Sequence, residues 1–127
     1  MRTRNQRQKA QTQGQMAETL ACWFLRLKGY RILARDYKTP VGEIDIIAAR
    51  GTVLAFVEVK QRQTRRASLD AISPRQQYRI IRAAGAFLTR RSDLAGRDLR
   101  FDVIAINGLS LPHHLQNAWQ ADPRHWV

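Results

Sequence analysis

Cysteine is nearly absent from this 127-residue chain: Cys22 stands alone, which excludes an intrachain disulfide framework and a cysteine-rich zinc site. Long apolar runs are missing as well. Stretches such as Ala21 to Leu25 fall far short of the ~18 residues that a membrane span needs, so no membrane partner is expected. The basic N-terminus has no apolar segment behind it, so no secretory leader is visible and the expected compartment is a reducing cytoplasm. Acid is scarce: 10 Asp and Glu face 22 Lys and Arg, for a formal charge of +12. Only three of those acids are glutamates, Glu18, Glu43 and Glu58.

What is present suits one ordinary domain with a real core, since 44% of the residues are hydrophobic and wholesale disorder is thereby excluded. A chain this basic meets a polyanion. Arginine outnumbers lysine 18 to 4, and the planar guanidinium fork favours phosphate contact over mere solubility. Charge alone would suit ribosomal RNA or an anionic surface equally well.

Residues 1–13 carry four basic side chains and no acid, and read as a flexible basic arm ahead of a single domain over 14–127. From residue 14 the spacing of Met16, Leu20, Trp23, Phe24 and Leu27 predicts an amphipathic helix, with Gly29 at its C-cap. Tyr30 to Leu33 reads as a short strand and Thr39 to Gly42 as a turn. Residues 43–49 and 53–60 are the strongest strand pair, joined through Gly51-Thr52, with glycine suited to the first position of a type II′ turn. Ser73-Pro74 opens a helix whose buried face is Ile80, Ala84, Phe87 and Leu88. Phe101 to Ile106 is a further strand, and the tail from Leu109 holds a short packing segment around Leu115 and Trp119. The order is α-β-β-β-α-β, an α/β fold with a mixed central sheet flanked by helices.

Two of the three glutamates, with Asp45, fall inside the apolar hairpin. Pairing Arg50 with Val53 sets Asp45 opposite Glu58 and Glu43 opposite Lys60, so these four side chains share one face while Ile44, Ile46, Val57 and Val59 fill the other. Opposed carboxylates repel unless one is protonated or a cation bridges them. Mg²⁺ is commonly held by one or two carboxylates together with waters and substrate phosphates. With Lys60 alongside, the set suits phosphodiester hydrolysis: a metal polarises phosphate and water, and a lysine orients the nucleophile or stabilises developing charge. Residues 60–91 add nine basic side chains against the single acid Asp70, among them Arg62, Arg65, Arg66, Arg75, Arg79 and Arg82, which read as a phosphate-tracking surface.

Asp45 followed by Glu58-Val59-Lys60 resembles the D…(D/E)-x-K signature of the restriction-endonuclease-like nuclease superfamily, and the element order matches that superfamily's core. Gly42-Glu43-Ile44-Asp45, Phe56-Val57-Glu58-Val59-Lys60 and Arg100-Phe101-Asp102-Val103 together resemble the small bacterial YraN family, whose members are similar to Holliday-junction resolvases. The likeness spans roughly residues 14–106. It implies that Asp45 and Glu58 bind Mg²⁺ (or Mn²⁺) with the Val59 carbonyl, that Lys60 is the catalytic lysine, and that Glu18 reaches the metal through water. The chain departs from the family at Gln76, near which a lysine is usual.

Each residue also has a plainer reading. Asp45, Glu58 and Lys60 would make a surface ion-pair cluster, and Glu43 a salt bridge to Lys60. Glu18 would be a first-turn acid favoured by the helix dipole. Gln76 would complete a capping box with Ser73. Asp102 reads as structural, the three histidines have no metal-ligand spacing, and the tryptophans and Cys22 read as packing. The expectation is therefore a Mg²⁺-dependent endonuclease-like enzyme acting on DNA, branched DNA included. The alternative is a nucleic-acid-binding module that keeps the fold without the chemistry. Symmetric cleavage of a junction would need a homodimer, and no dimer surface stands out in the sequence.

Overall fold

The computed structural model describes residues 3–61, 72–108 and 110–121, apart from the side chains of residues 7 and 9–13. Helix α1 runs over Arg4–Leu27, strands β1 over Arg31–Thr39, β2 over Gly42–Arg50 and β3 over Val53–Gln61. Helix α2 follows at Pro74–Arg90, then a single 3₁₀ turn at Ser92–Leu94, β4 at Asp98–Ile106 and β5 at His113–Trp119. The five strands form one sheet in sequence order. Only β3 and β4 run parallel, because α2 carries the chain across between them; every other pair is antiparallel. Among the described residues no helix is long and apolar enough to cross a membrane.

Helix α1 begins ten residues ahead of its expected start, so helical backbone runs through the stretch read as a flexible arm. Thr3 explains this: its hydroxyl accepts from the Gln6 N–H while the Gln6 side chain accepts from the Thr3 N–H, a reciprocal cap. The helix ends where the sequence predicts, at Gly29 with φ 92°. From Arg50↔Val53 to Ile46↔Val57 the β2–β3 hairpin keeps the expected register, but the pairing stops there and the expected pairs Asp45↔Glu58 and Glu43↔Lys60 are not formed; Gly51 takes the positive φ (58°) that a II′ turn demands. Strand β1 is longer than predicted, and the tail segment is a true edge strand, β5.

The sheet separates two apolar layers. On one side Ala17, Ala21, Cys22 and Leu25 of α1 pack on Ile46, Val57 and Ile104. On the other, Ile80, Ile81, Ala84 and Phe87 of α2 pack on Ile44, Ile47, Phe56 and Phe101. Two expectations are corrected here. The stripe Met16, Leu20, Trp23 and Leu27 faces solvent, and the smaller residues beside it face the sheet. Ile44 and Ile46 lie on opposite faces. The change of face falls between the pairs Arg35↔Ile46 and Tyr37↔Ile44, where Asp36 adopts a left-handed conformation (φ 47°).

Gly42 is fixed by packing against α2. A Cβ there would fall 2.0 Å from the Arg79 carbonyl oxygen, which is backbone and cannot swing aside. Gly42→Ala is therefore expected to cost about 1–3 kcal/mol as α2 is pushed off β2. Urea denaturation measures it, and an unchanged midpoint would show that the two elements part freely.

Candidate active site

The Cα register of β2 and β3 runs from Arg50↔Val53 to Ile46↔Val57. One step further, the Asp45 side chain takes over: its Oδ2 accepts the Val59 N–H at 2.8 Å. A strand alternation already broken at Asp36 and a backbone donor given over to a carboxylate hold Asp45 at the mouth of the sheet. Glu58 alternates toward α2, where Gln76 Nε2 donates to its Oε1 at 2.9 Å. Lys60 lies two residues on. Its Nζ stands 3.5 Å from Glu58 Oε1 and donates to Gln76 Oε1 at 3.4 Å.

Asp45, Val59 and Lys60 border a cavity of about 430 Å³. Glu18 of α1, Asp36 and Lys38 of β1, Asp45 of β2 and Val59 and Lys60 of β3 line it. Glu58 is not in its wall, and its side chain is only 11% exposed. Glu43, beside Asp45 in sequence, is exposed and adds its charge to the field on Asp45. Five of the chain's ten acids thus gather here (Glu18, Asp36, Glu43, Asp45 and Glu58), a concentration of negative charge in a protein of net charge +12.

Burial and the neighbouring Asp45 charge push the Glu58 carboxyl up to about 8, with the Lys60 charge only partly offsetting them. Burial raises Asp45 too, opposed by the Val59 N–H, a hydrogen bond with Glu58 and Lys60. The two carboxyls therefore share a proton held on the Glu58 side at neutral pH. Glu18 is likewise raised by burial and by Asp45, and the Arg35 guanidinium, 3.4 Å from its Oε1, counteracts this. Among the described residues no three His, Cys, Asp or Glu side chains converge as a metal cage. Asp45 and Glu58 are the residues here that could hold one hard divalent cation, with water or phosphate oxygens completing its shell.

Asp45, Glu58, Lys60 and Gln76 are brought together, and Glu18 and Val59 share the cavity wall. Glu43 does not meet Lys60 in a salt bridge: it stands across from Lys38 of β1, while Lys60 turns to Glu58. Glu18 is mid-helix, so a first-turn dipole role is excluded. The Gln76 N–H is capped by Ser73, but its side chain leaves the cap and bridges Glu58 and Lys60. Arg75 and Arg79 are exposed on α2, and Arg82 is half-buried. Arg62, Arg65 and Arg66 lie outside the described residues. Sequence reasoning missed Arg35, Asp36 and Lys38, because β1 carries no motif and only tertiary pairing brings it to the cavity.

The place of Gln76 carries a prediction. Gln76→Lys sets a second ammonium beside Glu58 and is expected to bring its pKa well below about 8. A carboxyl-carbon NMR titration reads this, and a Glu58 pKa that does not move would show that Gln76 does not hold this contact in solution.

The comparisons with known proteins cover most of the chain. Residues 17–106 match the family described as "Uncharacterised protein family UPF0102". The UPF0102 protein of Paramagnetospirillum magneticum is 46% identical over 119 residues, 91% of this chain and 92% of that protein. Those of Parvibaculum lavamentivorans and Rhodopseudomonas palustris (strain BisB5) are each 52% identical, covering 84% and 87% of this chain and 80% and 84% of theirs. The matched span contains the whole acid–acid–lysine constellation, and the chain belongs to the UPF0102 family, the YraN family to which its motifs point.

Proposed function

We infer that this protein is a divalent-metal-dependent phosphodiesterase acting on DNA, branched DNA included, with Asp45, Glu58 and Lys60 as its catalytic set. The observation that carries this reading is the buried carboxyl pair: Asp45 and Glu58 meet beside Lys60, 3.5 Å from Glu58, at the edge of a cavity wide enough for a phosphodiester. Nothing in the fold requires two acids to meet there, and a cation would relieve the repulsion that their meeting creates.

Asp45 and Glu58 would hold Mg²⁺ or Mn²⁺, with the Val59 carbonyl and, through water, Glu18 completing the protein's share. When bound, the ion polarises the phosphate and lowers the pKa of a water. The protein's own groups do the rest. The Val59 N–H fixes the Asp45 carboxylate, Gln76 fixes Glu58, and Lys60 presents a compact charge where the nucleophile or the developing phosphorane charge would lie. The exposed arginines of α2 supply the phosphate-tracking surface. Arg75→Ala and Arg79→Ala are each expected to weaken DNA binding evenly across sequences and to lower the log–log salt slope by about one. Fluorescence anisotropy at several salt concentrations measures both, and unaltered slopes would remove α2 from the interface.

The test of the whole reading is cleavage of labelled four-way junction, flap and linear DNA and of RNA, with Mg²⁺, Mn²⁺ or EDTA, by the protein and by Asp45→Ala. Metal-dependent cutting that vanishes in the variant supports it, and the substrate panel names the class. Binding by both proteins without cutting in any metal would instead support a nuclease-like fold that only binds.

A further inference from the structure

The outward face of α1 carries an exposed apolar stripe in a protein of net charge +12. Met16 is 60% exposed, Leu20 51%, Trp23 58% and Leu27 88%. Leu111, from the β4–β5 connection, is 84% exposed beside the C-terminal half of the same stripe. Between that connection and α1 runs a groove of about 510 Å³, walled by Leu20, Trp23, Phe24, Leu27, Leu111 and Pro112. The five exposed side chains leave on the order of 600 Å² of apolar surface in water. That is at the upper end of what monomers carry, about 300–600 Å², and near the ~800 Å² each partner gives to a standard interface.

Their order on the helix says what covers them. The spacings 16 to 20, 20 to 23 and 23 to 27 are four, three and four residues, the a/d alternation of a two-helix seam. They are also palindromic. An antiparallel twofold axis passing between Ala21 and Cys22 maps Leu20 onto Trp23 and Met16 onto Leu27, so the stripe is complementary to itself and the interface closes with two copies. This arrangement opposes the helix dipoles favourably. It also carries the two Arg26 side chains, each packed over its own Trp23 ring at 5.1 Å, to opposite ends of the seam, whereas a parallel pairing would bring them together.

We propose that this face of α1 is a homodimer interface, two copies packing α1 against α1 antiparallel, with Leu20 of one copy against Trp23 of the other and the groove beside Leu111 receiving Met16 of the second copy. The interface rests on the apolar stripe alone and is independent of the nuclease reading, since none of its residues lines the acid cavity. It does tie the two together, because α1 also lends Glu18 to that cavity, so one dimer would couple two sites.

Sedimentation equilibrium of the full chain over a range of protein concentrations tests the proposal. The expected result is a dimer. Leu20→Glu and, separately, Leu27→Glu should weaken self-association by about a hundredfold or more, with helical circular dichroism and thermal midpoint retained, since both side chains already face water. Leu27, the most exposed of the four, keeps the test available if Leu20→Glu fails to fold. Oxidising an equal mixture of Met16→Cys and Leu27→Cys proteins should give the mixed disulfide in preference to either homodimer. A monomer at every concentration overturns the interface, as does a dimer whose mass neither glutamate variant changes. Met16→Cys pairing with itself overturns the antiparallel geometry.

Discussion

Asp45→Asn is expected to abolish divalent-metal-dependent cleavage, a loss on the order of a thousandfold or more, while the metal-free protein becomes more stable at alkaline pH. The second half separates a functional carboxylate from a structural one. In the native protein Glu58 titrates near 8 because it is buried and faces the Asp45 charge. A carboxyl whose folded pKa is raised contributes stability that is fully present below its unfolded value, about 4.3, and is lost as pH rises through about 8. Removing the Asp45 charge lets Glu58 ionise more easily, so the variant should lose less stability across that window. Thermal melts in EDTA at several pH values read this. A divalent cation must displace the shared proton to bind, so its stabilising effect on the native protein should grow with pH up to about 8 and vanish in Asp45→Asn. A variant that is destabilised in EDTA at all pH values would instead make Asp45 a structural group, important for its Val59 hydrogen bond and nothing more.

Asp102→Asn is expected to cost about 3–5 kcal/mol, a large share of the ~5–15 kcal/mol that holds a domain together. Asp102 is fully buried, and four donors converge on its carboxylate. Arg100 donates from Nε at 2.9 Å and from Nη2 at 2.8 Å, His114 Nε2 at 2.7 Å, and the Asn117 N–H at 3.0 Å. The last exists because β5 bulges opposite Asp102, with Asn117 in a left-handed conformation (φ 52°) that asparagine tolerates. Beyond His114, Lys28 Nζ donates to its Nδ1 at 2.6 Å, which fixes the imidazole with its proton on Nε2. Arg100 also donates to the Tyr30 hydroxyl. One buried carboxylate thus ties the end of α1, the start of β1, β4 and β5 together.

Burial alone would raise the Asp102 pKa, but the hydrogen bonds from His114, Arg100 and Asn117 outweigh it and hold the group below the usual carboxylate range. Its stabilisation is therefore present above the unfolded value, about 3.9, and disappears as pH falls through the lower folded one. An amide in its place would turn N–H groups toward Arg100 and His114, which are donors themselves. Urea denaturation at neutral pH should show the loss, and the gap to the native protein should close in acid. A difference below about 1 kcal/mol at neutral pH would mean that the cluster is open to water.

The chain's own pattern determined the hairpin and its register, because Gly51 and the strand periodicities on either side are local. That register made the neighbourhood of Asp45 and Glu58 legible, and Lys60 followed from period two, but the register ends at Ile46↔Val57 and the break in alternation at Asp45 was not legible. The helix at Ser73-Pro74 was legible for the same reason: its cap and its apolar stripe lie within one segment. Only the tertiary structure decided the rest. Met16, Leu20, Trp23 and Leu27 form the better-looking stripe, yet the sheet takes Ala17, Ala21, Cys22 and Leu25, because the three small side chains of that face let α1 lie close on the strands; periodicity gives a face but does not say which of two neighbouring faces is covered. His114 and Asp102 are twelve residues apart with no motif between them, and they meet only because β5 returns beside β4 with a bulge. Gln76 satisfies a capping pattern in the sequence, and its side chain went instead to Glu58, because a buried carboxyl without a donor costs more than an exposed helix end that water can cap.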